Sequence, residues 1–138
     1  MHLPTYLKHS VSKDPTFLKY MLAVIYVESG FETWAVSEVG AAGLMQVTNI
    51  AVKDTMNHCG LPHVTSDQLH NPATNIKYGT CYLNHMLNKM DGDWTKALII
   101  YNGGYRQLTK YQKGETITLE TSNYVLKVNR AFNICSKE

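Results

Sequence analysis

Twice in this sequence a side chain suited to capping a helix is followed at once by proline, at Asp14-Pro15 and at Asn71-Pro72. A carboxylate or amide oxygen there takes up a free N–H of the first helical turn, and proline at the first helical position has no N–H to leave idle. Behind the first signal, Phe17, Leu18, Met21, Leu22, Val24 and Ile25 recur at helical spacing up to Gly30. Behind the second, Ile76, Tyr78-Gly79, Tyr82-Leu83, Met86-Leu87 and Met90 share an inner side until Asp91-Gly92 ends the run. Long apolar faces of this kind must be buried against other helices, so the chain reads as mainly α with at most a minor β element. Thr48 to Cys59 reads as a further helix stopped by Gly60, and Asp93 as the cap of a helix over 94–101 that Asn102-Gly103-Gly104 breaks. Segment 31–46, with Gly40 and Gly43, suits a compact loop. Residues 105–119 read as irregular, with Thr116-Ile117-Thr118-Leu119 a short strand or extended chain, and Thr121 as the cap of a last helix through about Phe132.

With 138 residues, 44% of them hydrophobic, the chain is long enough to bury a core as one domain spanning 1–138. A net charge of +2 without a basic stripe argues against nucleic acid as a partner, though it suits an anionic polymer. The longest apolar-rich run, Tyr20 to Val27, is too short to cross a bilayer, so no membrane insertion is expected. Met1-His2-Leu3-Pro4 lacks the pattern of a secretory leader, which implies either a trimmed exported domain or another route to the substrate, such as delivery by a phage. Cys59, Cys81 and Cys135 leave at least one thiol unpaired within the chain and leave the redox compartment open. His2, His9, His58, His63, His70 and His85 contain no pair at the spacing of a zinc helix, and surface or loop positions account for them, so no metal is expected. Gly103-Gly104 follows a helix without the lysine and serine of a phosphate loop, and no cofactor is expected either.

Glu28 carries the chemistry. Alone it would read as a solvated carboxylate in the last turn of an apolar helix. The negative end of the helix dipole and nearby apolar walls both disfavour its charged form, so its pKa should rise. A useful general acid near neutral pH needs a shift from about 4.3 to roughly 6, a cost near 2 kcal/mol that one buried helix end can supply.

From about Leu18 to Val128 the sequence resembles the catalytic domain of soluble lytic transglycosylases, which share the goose-type lysozyme fold. The resemblance rests on Glu28-Ser29-Gly30-Phe31, Ala35-Val36-Ser37, Gly40-Ala41-Ala42-Gly43-Leu44-Met45-Gln46, Asn71-Pro72 with Asn75-Ile76 and Gly79-Thr80, Tyr101-Asn102-Gly103-Gly104, and Glu120-Thr121-Ser122-Asn123-Tyr124-Val125. Each stretch alone reads as a turn, a helix stop or a core aromatic; their order and separations together carry the likeness. It implies a helical fold with a substrate cleft, Glu28 as the acid/base, and Ser37 and Gln46 in the groove, bonded to the sugar at the cleavage site. Asn102 joins them as a substrate-binding residue, Tyr101 and Tyr124 flank the carboxylate, and Glu120 sits at the cleft as a positioning group. Three departures stand out: Ile100-Tyr101-Asn102-Gly103-Gly104 replaces the usual alanine-tyrosine-asparagine-alanine-glycine, predicting a more flexible helix end, Thr48 stands where methionine is common, and the proline that often follows it is absent.

The reaction implied is cleavage of peptidoglycan between N-acetylmuramic acid and N-acetylglucosamine by one carboxyl group, leaving a 1,6-anhydromuramyl end, with the protein a monomer acting in the periplasm or cell wall. Glu32 and Glu38 are the nearest candidates for the second carboxylate of an ordinary glycosidase, and neither matches a role in the family. A water-using lysozyme, or a noncatalytic glycan-binding or virion-structural module, would present the same sequence features.

Overall fold

The computed structural model describes residues 3–136; His2, expected at the surface, and Met1 lie outside the described residues. The described chain forms α1 (Leu3–Lys8), α2 (Pro15–Ser29), α3 (Asn49–His58), a 3-10 turn at Gln68–His70, α4 (Pro72–Lys89), α5 (Trp94–Gln112) and α6 (Leu119–Ser136). The capping side chains act as their chemistry dictates. Asp14 accepts from the N–H of Phe17, Thr48 from Ala51, Asn71 from Thr74 and Asp93 from Lys96. Each removes one idle donor from a first turn, worth about 1 kcal/mol. Of the two readings of 116–119, the chain is extended up to Thr118 and Leu119 already opens α6; bridging among the described residues is confined to Val36 with Ala42 and Ala42 with Val47, which fold the loop after α2 back on itself.

A single apolar cluster draws on α2 (Phe17, Met21, Val24, Ile25), the loop (Leu44, Met45), α3 (Val52), α4 (Ile76, Leu83, Met86), α5 (Leu98, Ile99, Ile100) and α6 (Val128). Burying a side chain of this size contributes about 1.5–3 kcal/mol. Helix α2 packs lengthwise on α6, while α4 meets α1, α3 and α5. One aromatic stack binds three helices: Tyr20 of α2 lies between Trp94 of α5 (ring centroids 3.8 Å apart) and Phe132 of α6 (4.1 Å). A disulfide joins Cys59, at the C-terminus of α3, to Cys81 of α4, with Cα atoms 6.6 Å apart, and settles the pairing that the sequence leaves open. No helix among the described residues is long and apolar enough to cross a membrane.

Two expectations need correction, and one helix went unread in the sequence. Helix α5 does not end at Tyr101 but runs to Gln112 across a kink at Gly104, whose backbone (φ 76°, ψ 179°) is open only to glycine. It resumes because Gln107 and Leu108 beyond the kink are buried. The last helix is capped by Thr118, not Thr121: the Thr118 hydroxyl accepts from the N–H of Thr121 (3.3 Å), and the helix continues past Phe132. Finally, α1 carries no legible signal; it is tied down by the Lys13 ammonium, which donates to the carbonyls of Leu7, Lys8 and Ser10.

Candidate active site

Glu28 is the next-to-last residue of α2, and the chain reverses directly behind it through Gly30 and Phe31, both left-handed (φ 60° and 67°). Two consecutive residues in this region turn the backbone sharply, and at Phe31 the conformation is strained. The reversal feeds the loop over 31–47 back across the end of α2. Ser29 then anchors it, its hydroxyl donating to the Leu44 carbonyl (2.7 Å).

The loop is fixed from below by Asn75, fully buried in α4. Its side-chain oxygen accepts from the N–H of Met45 (2.8 Å), and its amide donates to the carbonyls of Ala42 and Leu69 (2.8 Å each). Gly43 (φ 77°) passes so close that a Cβ would lie 2.3 Å from the Asn75 amide nitrogen. Gly79 clears room for Met45 in the same way. From α5, the Tyr101 hydroxyl donates to the Met45 carbonyl (2.7 Å). Three helices, α2, α4 and α5, therefore converge on one loop beside Glu28.

Part of Glu28 touches solvent, but its carboxyl group is walled by protein. Burial raises its pKa from 4.5 to about 7; a loose contact with the Tyr124 hydroxyl lowers it, and the negative charge of Glu120 raises it further. The Tyr124 hydroxyl is itself buried and meets no acceptor at full hydrogen-bond geometry, so it acts on the carboxyl without locking it. Tyr101 and Tyr124 both have pKa values held well above 10 by burial and by the Glu28 charge. They remain neutral donors. Among the described residues Glu28 has no ion-pair partner.

Glu28, Tyr101, Tyr124 and Glu120 are thus brought together, Glu120 as an exposed residue in the first turn of α6. Ser37 lies in the same loop, its hydroxyl accepting from the N–H of Ala41 (3.0 Å) with its own proton still to give. Gln46 (φ 50°) has its amide nitrogen turned inward to the carbonyls of Ala35 and Gly43, so this group braces the loop. Asn102 accepts from the Thr121 hydroxyl (2.9 Å), joining α5 to α6. Between them Gly103 has no room for a methyl group: a Cβ would sit 2.6 Å from both Gln107 Cγ and Thr121 Oγ1. The departure from alanine is a packing requirement, not slackness. Glu32 and Glu38 are exposed, and neither is among the groups that shift Glu28.

Sequence reasoning included Asn75 in the stretches that carry the resemblance but gave it no role; that it is the loop's keystone emerges only from its buried contacts. A depression of about 410 Å³ between α2 and α6, lined by Leu22, Tyr26, Phe31 and Ile134 among others, does not include Glu28. Among the described residues, the side chains grouped closely enough to hold a metal lie elsewhere, at Asp54, His58 and His85.

Residues 7–124 match the family described as "Transglycosylase SLT domain". The chain is 30% identical over 126 residues to the membrane-bound lytic murein transglycosylase E of Buchnera aphidicola, covering 84% of this chain and 57% of that protein. It is 33% identical over 86 residues to the soluble lytic murein transglycosylase of Escherichia coli K12, covering 62% of this chain and 13% of that one. Its fold superposes on the 70-kDa soluble lytic transglycosylase of E. coli with a TM-score of 0.78 at 25% identity, over 94% of this chain and 22% of the other. An inactive glutamate-to-glutamine mutant of the Pseudomonas aeruginosa lytic transglycosylase Slt gives 0.77 at 28% identity, over 85% and 21%. The chain therefore spans between 13% and 57% of the length of these relatives. With its site assembled on the end of α2 and most of its length matched, the chain belongs to the transglycosylase SLT domain family.

Proposed function

We propose that residues 1–138 form one catalytic domain that cleaves peptidoglycan glycan strands between N-acetylmuramic acid and N-acetylglucosamine, working as a monomer in the periplasm or cell wall. The observation that carries this reading is a lone buried carboxyl with a pKa near 7 between two neutral tyrosines. In its protonated form Glu28 donates to the bridging oxygen as the glycosidic bond breaks. The carboxylate so formed then removes the proton of the muramic C6 hydroxyl while that oxygen bonds to C1, which closes the 1,6-anhydro ring and returns Glu28 to its starting state. The nucleophile belongs to the substrate, so its high effective concentration makes a second protein carboxylate dispensable. Ser37 and Asn102 face the sugars, and Glu120 tunes the acid by its charge. Support comes from the family match and from the inactivity of a glutamate-to-glutamine mutant in the P. aeruginosa relative.

The test is mass spectrometry of sacculi digested by the parent and by Glu28→Gln. Muropeptides lighter by one water than hydrolytic products are expected from the parent and none from the variant. Reducing ends in place of anhydro ends would make the protein a lysozyme. Wall binding without any cleavage by the parent would make it a glycan-binding module.

A further inference from the structure

Away from Glu28, the facing turns of α3 and α4 collect a carboxylate and two imidazoles. Asp54 and His58 lie one turn apart on α3, and His85 comes from α4. The Nδ1 of His85 is 2.7 Å from one Asp54 oxygen and the Nδ1 of His58 is 3.3 Å from the other. The two rings are stacked with centroids 3.7 Å apart. One donor atom from each residue falls within 4.8 Å of the other two. Donors around a tetrahedral zinc ion at about 2.0–2.1 Å stand about 3.3 Å apart, so small side-chain rotations close the set.

We propose that Asp54, His58 and His85 bind one divalent ion of the zinc class, with water completing its coordination. Two nitrogen donors and one oxygen favour zinc, copper or nickel over magnesium or calcium, which take oxygen. A single carboxylate offsets half the charge of the ion. Asp54 and His85 are mostly buried while the His58 side chain is 49% exposed, which leaves a path for the ion and a place for the water. The neighbouring disulfide prepares the site: Cys59 follows His58 directly, and Cys81 precedes His85 by one turn of α4. The two ligating turns are therefore held in register before any ion arrives.

The test is calorimetric titration of the oxidised protein with zinc chloride, without reductant so that the disulfide stays closed, backed by the visible spectrum of the cobalt(II) form. One equivalent should bind, magnesium should not, and the spectrum should show the intense bands of tetrahedral cobalt. Asp54→Asn, His85→Ala and His58→Ala should each weaken zinc at least tenfold, while His63→Ala, on an exposed position, should not. If His85→Ala fails to fold, His58→Ala, whose ring is half in solvent, decides the matter. No saturable binding, or binding untouched by His58→Ala, would overturn the proposal. Repeating the titration in Glu28→Gln keeps the result separate from any reading of the cleavage reaction.

Discussion

The end of α2 and the facing turns of α3 and α4 both set an acid against rings, with opposite results. Asp54 is hydrogen-bonded to His85 through one carboxylate oxygen (2.7 Å), while His58 Nδ1 lies 3.3 Å from the other and bonds to the Asp54 backbone carbonyl (3.1 Å), at a position part-open to water. Glu28 has two tyrosines and another glutamate for neighbours and, among the described residues, no ion-pair partner. The first arrangement satisfies its charge and ties two helices; the second leaves the charge unsatisfied and makes an acid of it. Burial without a partner, rather than the number of charges in reach, turns a carboxyl group toward proton transfer. The difference has an energetic side. Moving Glu28 from 4.5 to about 7 corresponds to about 3 kcal/mol at ~1.36 kcal/mol per pH unit. That is a large share of a domain stability of roughly 5–15 kcal/mol.

The sharpest way to break the contrast is Glu28→Gln. Cleavage of purified sacculi should fall by on the order of 10² to 10⁴ or more, the size of a general-acid contribution. The same variant should be more stable above pH 7, by up to about 3 kcal/mol in denaturant titrations. The sign follows from a raised native pKa: the folded protein holds its proton more tightly than the unfolded chain, so this group costs nothing below 4.5. The cost grows as pH rises toward 7 and is constant beyond it. The parent should therefore lose stability across that window relative to the variant, and parallel curves would remove the buried acid from the account. Activity of the parent should decline as pH rises through about 7.

Next in size is Asn75→Ala, which strands the N–H of Met45 and the carbonyls of Ala42 and Leu69. A loss of about 3 kcal/mol is expected, together with slower cleavage, because the loop beside Glu28 loses its floor. Full activity at unchanged melting temperature would show that the loop stands without it. Replacing both Cys59 and Cys81 by serine opens a loop of 22 residues and should also cost about 3 kcal/mol, yet leave cleavage at moderate temperature near the parental rate. A fall in turnover would show that the scaffold side and the acid side are coupled. The smallest effect is that of Tyr124→Phe. Its hydroxyl lowers the Glu28 pKa, so removing it should move the alkaline limb of the pH–rate profile upward, and a downward move would reverse the role given to it.

The helix starts were legible because capping is local: Asp14, Asn71 and Asp93 bond to N–H groups three residues on. Glu28 was legible because the helix pattern and the flanking stretches set it at a helix end. What escaped depends on partners far along the chain. Asn75 serves residues up to 33 positions away, and Asp54 meets His85 across 31. A search for paired histidines on one helix could not find a set that mixes a carboxylate with imidazoles from two. The kink of α5 was signalled by its glycines, but its continuation depends on Gln107 and Leu108 reaching the core, which is a matter of packing.

The crowding at Gly103 makes residues 103, 107 and 121 an interdependent trio. Gln107 cannot swing aside without giving up its bond from the N–H of Thr118, nor Thr121 without releasing Asn102. A relative with alanine at the first of these positions should accordingly carry a smaller or differently directed side chain at one of the other two, so that grafting that alanine here by itself would wedge α5 and α6 apart at the very helix that presents Tyr124.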